Sequence, residues 1–182
     1  MQINLASHFN HTIKYNAEIE KLNDSEKKIL YGVNGIVLVE KIDNELYIPS
    51  NILLNLKDNV SNTLDNIVCD GQVIPAFFKN INSINIIGFT DYGTVLDSIS
   101  IINCNNQKKE YDFVLKTFHT SINQSIENNT TRKCILLKKY MGNDGQKHNI
   151  FSYNIDFGKS IDMKEIVLPI NLSLHIMSII CI

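Results

Sequence analysis

The sequence predicts an all-β fold: one antiparallel two-sheet β-sandwich of jelly-roll kind over residues 1–182, with at most one short helix. Three observations predict it. Runs of β-branched and aromatic residues recur about every 8–12 residues, with Asn, Asp and Gly between them. Phe151, Tyr153, Ile155 and Phe157 alternate with Ser152, Asn154 and Asp156, the period of a half-buried strand. The last residues, Leu174 to Ile180, are apolar, and an apolar strand there must be paired and covered or it would invite aggregation.

In chain order, Gln2 to Phe9 reads as a first strand. Ala17 to Leu30 reads equally as a polar loop or as a short helix capped by Asp24 or Ser25. Gly35–Glu40 and Leu46–Ile48 flank the turn residues Ile42–Glu45, a hairpin signal that Pro49 ends. Ser50 to Val60 carries both helical and strand character. Ile67–Cys69, the Asp70-Gly71 turn and Gln72–Ile74 follow, with Pro75 as a stop. Strands are then expected at Asn82–Phe89, Val95–Ile102, Lys109–Leu115 and Lys133–Tyr140. Turns are expected at Asp91–Gly93 and Asn103–Gln107, and a loop at Gly142–Gly145. The final stretch reads as three short strands, 151–157, 164–169 and 174–180.

Composition narrows the function classes. Of the residues, 44% are hydrophobic and 20% charged, which is ordinary for a globular domain able to bury a full core. The net charge is −2 and Arg132 is the sole arginine, so no nucleic-acid partner is expected. No run approaches the ~18 apolar residues of a membrane helix. Met1–Leu5 lacks the basic and apolar regions of a secretory signal, which leaves the cellular address open.

The chemistry-bearing residues form no known motif. Cys69, Cys104, Cys134 and Cys181 show no CxxC pair and read as buried free thiols. Among His8, His11, His119, His148 and His175, no spacing matches a metal site, so neither metal nor cofactor is expected. His175, between Leu174 and Ile176, reads as a satisfied histidine at a strand edge. The aspartates fall mostly at turns, where they bond local backbone. GxSxG, P-loop and GxGxxG patterns are missing, so no enzymatic site is expected. Phe151 and Tyr153 point to the core by their period. Tyr92 and Tyr140 lie by loops and are the candidates for exposed contacts, with Asp91 and Asn143 beside them as hydrogen-bonding partners.

Several segments, taken in order, resemble a β-sandwich accessory module attached to bacterial and fungal glycoside hydrolases and other carbohydrate-active enzymes. They are Ile3–Asn10, Asp65–Pro75 with its Cys69-Asp70-Gly71-Gln72, Ile84–Gly93, Phe151–Phe157, Lys164–Pro169 and Leu174–Ile179. Two stretches depart from the module: Asn16–Tyr31 is charged, and Lys116–His119 stands where a Trp is common. The resemblance implies a non-catalytic module that binds glycan weakly or braces a partner enzyme domain. It also implies that Gly71 and Gly88 serve backbone geometry. The alternative is a structural or protein-interaction domain, oligomeric or not, without sugar affinity. A hydrolase with its own carboxylate pair ranks third.

Overall fold

A computed structural model describes residues 1–11, 45–47, 53–55, 66–119, 133–141 and 147–182. Its strands are β1 (Glu45–Tyr47), β2 (Leu53–Asn55), β3 (Ile67–Asp70), β4 (Val73–Thr90), β5 (Val95–Asn103), β6 (Lys108–Leu115), β7 (Cys134–Met141), β8 (Lys147–Val167) and β9 (Ile170–Cys181). All described pairings between strands are antiparallel. β1 and β2 form a small ribbon, and the other seven form one sheet in the order β3-β9-β4-β8-β5-β6, with β7 also on β8. The sheet curls into a half-barrel.

Two long strands make the curl. The second half of β4 lies between β9 and β8, while its first half pairs with the second half of β8. β8 in turn carries β7 along its first half and β5 along its second. The sheet thus has two arms that share β4 and β8. Between them the β4–β8 register slips repeatedly from Pro75 to Ser83. Asn80 (φ 56°) and Gly158 (φ 72°) adopt left-handed backbone there, as bulged strands require. Asp162 stitches the bend: its carboxylate accepts Asn80 N–H at 3.0 Å, and its carbonyl accepts Cys104 N–H at 2.9 Å.

Burial follows this layout. Ile84 to Thr90 and Leu174 to Cys181 are buried without alternation, because strands covered on both faces lose the period of two. Ile84, Ile86, Ile99, Phe113, Ile166 and Ile176 belong to one core cluster. A fully buried Ile or Phe of this kind contributes roughly 1.5–3 kcal/mol. Phe151, Tyr153, Ile155 and Phe157 all face that core, as their period predicts.

Several local expectations are corrected. Gln2–Phe9 is not a strand. Residues 1–3 bridge the end of β9, then Ala6–His8 form a 3-10 turn. The reason is occupancy: beyond Ile179 the same edge of β9 is taken by Ile67 and Val68 of β3. Asn10 then covers the outer edge of β3, its amide donating to Val68 O (3.1 Å) and accepting from Val68 N–H (2.7 Å). Pro75 does not end a strand. β4 runs through it with β8 on one side, a place where a missing N–H is tolerated. The stretches 151–157 and 164–167 belong to one bent strand rather than two, because Gly158 bends the chain without breaking it, and that strand ends at Val167. Cys104 is exposed at the β5–β6 turn, whereas Cys69, Cys134 and Cys181 are buried free thiols. Leu53–Asn55 resolves as strand. Gly35–Glu40, Ala17–Leu30 and Gly142–Gly145 lie outside the described residues. Among the described residues no helix is long and apolar enough to cross a membrane.

Two glycines carry close backbone packing. A Cβ on Gly88 would overlap the His175 carbonyl oxygen, and Gly71 combines φ +72° with Ile170 Cγ1 3.1 Å from a would-be Cβ. Gly88→Ala is expected to cost about 3 kcal/mol or more, and Gly71→Val about 1–3 kcal/mol. Urea denaturation of both variants checks this ranking. A Gly88→Ala protein as stable as the parent would contradict the β4–β9 register.

Candidate functional site

At one end of the sheet, the turn Asp91–Gly93 leaves β4 for β5. Gly93 supplies a positive φ of 61°, and the Thr90 hydroxyl donates to Gly93 O at 2.7 Å, closing the turn. Neighbours hold it from two sides. Asp91 N–H donates to Ser173 O at 3.0 Å on the β9 side. On the other side, the segment 116–119 wedges in where β4 and β8 splay apart. There Thr90 N–H donates to Lys116 O (3.0 Å), Phe118 N–H to Thr90 O (2.8 Å) and Asn149 N–H to Phe118 O (2.8 Å). Thr90 and Thr117 are fully buried.

Beneath the turn runs a ladder of rings. His11 meets His175 edge-on at 4.8 Å between centroids, and His175 stacks on Phe89 at 4.6 Å. Phe89 packs on Phe118 at 4.5 Å, and Phe118 stacks on His148 at 4.3 Å. His119 closes the row edge-on to His148 at 5.4 Å. Register explains the alignment: Phe89 is the cross-strand partner of His175, and His119 bridges His148. Four of the chain's five histidines therefore meet in one place, although they are scattered in sequence.

His175 is the polar centre of the ladder, only 2% exposed. Its Nδ1 lies 3.0 Å from Asn66 Oδ1, and its Nε2 lies 3.1 Å from Asp91 Oδ1. The Asp91 contact does not meet hydrogen-bond geometry, and it is an ion pair only when the ring is protonated. His175 is not an edge residue as the sequence suggests, because β9 is inserted between β3 and β4.

Tyr92 is 55% exposed. Beside the turn, Asn171 Nδ2 donates to Asp97 Oδ2 at 2.8 Å, and the Ser173 hydroxyl donates to Asn171 Oδ1 at 2.8 Å. Of the four residues the sequence nominates, Tyr92 and Asp91 share this turn. Asp91 turns its carboxylate inward to His175. Tyr140 pairs through its backbone with His148 across β7 and β8. Asn143 lies outside the described residues. Sequence reasoning misses Asn171, Ser173, Asp97 and the ring ladder, since their meeting depends on strand order. The exposed Phe77 and Ile170 also carry no advance signal.

Among the described residues, no group of three or more His, Cys, Asp or Glu side chains is arranged to hold a metal ion. The buried thiols are poor nucleophiles. Burial, reinforced by Asp97, pushes the Cys69 thiol far up. Burial pushes Cys134 up to about 12 against the opposing pull of Lys116, and Cys181 up to about 11 against the N-terminal ammonium. No protein-family model matches the chain, and no curated protein matches it.

Thiol titration checks this burial. In native protein a disulfide reagent is expected to modify Cys104 alone within minutes, while Cys69, Cys134 and Cys181 react only on unfolding. Rapid native modification of Cys69 would contradict its place in the core.

Proposed function

We propose that this chain is a non-catalytic, carbohydrate-associated β-module that binds glycan weakly or braces a partner enzyme, with the turn 91–93 as its contact. The two-layer sandwich of jelly-roll kind belongs to the same reading, the two arms of the curled sheet acting as its layers. One observation carries it. Tyr92 is exposed on a turn whose Asp91 N–H binds Ser173 O, and Ser173 is linked through Asn171 to Asp97 in an ordered chain of hydroxyl, amide and carboxylate groups. Sugar sites need this combination, because a pyranose stacks its C–H face on an aromatic ring while its hydroxyls take polar partners. The turn is held by buried threonines, so little ordering entropy is lost on binding. Asp91 and Asp97 are each occupied by a side-chain partner, which suits anchoring rather than acid–base work.

A second reading, a protein-interaction domain, is favoured by a different surface. Val73, Pro75 and Phe77 are exposed at i, i+2 and i+4 on one face of β4, and Phe77 is 73% exposed.

A thermal-shift and saturation-transfer screen of the purified chain against oligosaccharides separates the two. The expected result is millimolar or tighter binding to one sugar class, lost in Tyr92→Ala with the unfolding midpoint unchanged. A flat response from folded protein would overturn the glycan reading and leave the β4 surface as the site of contact.

A further inference from the structure

His175 has an oxygen acceptor against each ring nitrogen, Asn66 Oδ1 on Nδ1 and Asp91 Oδ1 on Nε2. A neutral imidazole carries a single N–H and no charge; the imidazolium keeps the Asn66 contact and adds electrostatic attraction to the Asp91 carboxylate. With Asn66 placed as it is, the proton of a neutral ring goes to Nδ1. The Nε2 lone pair then faces the Asp91 carboxylate in a buried site, where an uncompensated polar contact is costly. Asp91 is the first residue of the turn that carries Tyr92. We infer that protonation of His175 latches the turn 91–93 in its seat, and that loss of this proton releases it.

The groups that face His175 come from every described element around it. The N-terminal segment contributes His11, the start of β3 contributes Asn66, and β4 and its turn contribute Phe89 and Asp91. His11 is the second titrating ring in contact. A charge there would oppose one on His175. Phe89 lies nearly parallel to the imidazole, 12° between planes.

The consequence for function rests on the turn being the glycan contact; the latch itself does not. If Tyr92 is the platform, glycan affinity is proton-regulated, strongest where His175 is charged and weakened as pH rises. The sign follows from which form makes both contacts.

The test uses the whole chain and exploits its lack of tryptophan. Tyr92→Trp places a sole indole on the turn. Its emission is followed from about pH 5 to pH 9, alongside the His175 ring ¹⁵N signals. The expected result is one curve for both reporters, with both ring nitrogens protonated at the acid end. The indole response is expected to vanish when Asp91→Asn is added and to survive His11→Phe. His175→Gln provides a second check should Asp91→Asn destabilise the turn. An indole signal that stays flat while His175 titrates would overturn the latch. A response lost in His11→Phe would also overturn it, by assigning the switch to His11. For any sugar found to bind, affinity is expected to fall at least about threefold across the same range. A working latch with no sugar bound at any pH would sink the glycan reading alone.

Discussion

The sharing of β4 and β8 between two arms is the constraint on which the rest depends. β4 and β8 pair with each other along both halves, while β9 joins only the second half of β4 and β7 and β5 join opposite halves of β8, so neither arm has a sheet of its own. A bend is then unavoidable, and it is made where the chain tolerates one. Asn80 and Gly158 take left-handed backbone, Asp156 accepts Gly158 N–H at 2.8 Å, and Asp162 ties the bend to the β5–β6 turn. Tyr111 on β6 packs against Phe157 on β8 at 5.0 Å, while Lys109 lies 4.6 Å over the Tyr111 ring, so the outer arm folds back onto the shared strands.

At the other end the shared strands splay, and the ring ladder fills the gap. Residues 116–119 enter between β4 and β8, and their backbone satisfies Thr90 and Asn149. Phe118 then lies between Phe89 and His148, coupling three segments through ring contact. The turn 91–93 is backed by this packing. It is an exposed loop with a buried underside, an arrangement that lets a surface residue such as Tyr92 hold one position without being covered itself.

Much of this is legible in the residues, and the failures have physical causes. Strand type and most turns follow from local signals: the Asp70-Gly71 and Asp91–Gly93 turns and the alternation at Phe151–Phe157 need no tertiary information. Strand length does not follow. Pro75 and Gly158 look like stops, but a proline with one free side and a bulged glycine are both compatible with a continuing strand. The site is half legible. Tyr92 and Asp91 are marked by their turn. Asn171 and Ser173 reach it only because β9 is inserted between β3 and β4, which a local reading of the chain does not dictate. His175 looks like an edge residue for the same reason.

Native-state amide exchange tests the central claim most directly. If β4 and β8 bind both arms into one cooperative sheet, the amides of Ile84–Gly88, Phe151–Ile155 and Ile176–Cys181 should exchange only through global opening. Those of Ile99–Ile101 in the outer arm should share that free energy within about 1 kcal/mol. Early exchange of the whole β5–β6 arm, with β9 and the second half of β4 still protected, would mean that the arms open independently, and would contradict the account.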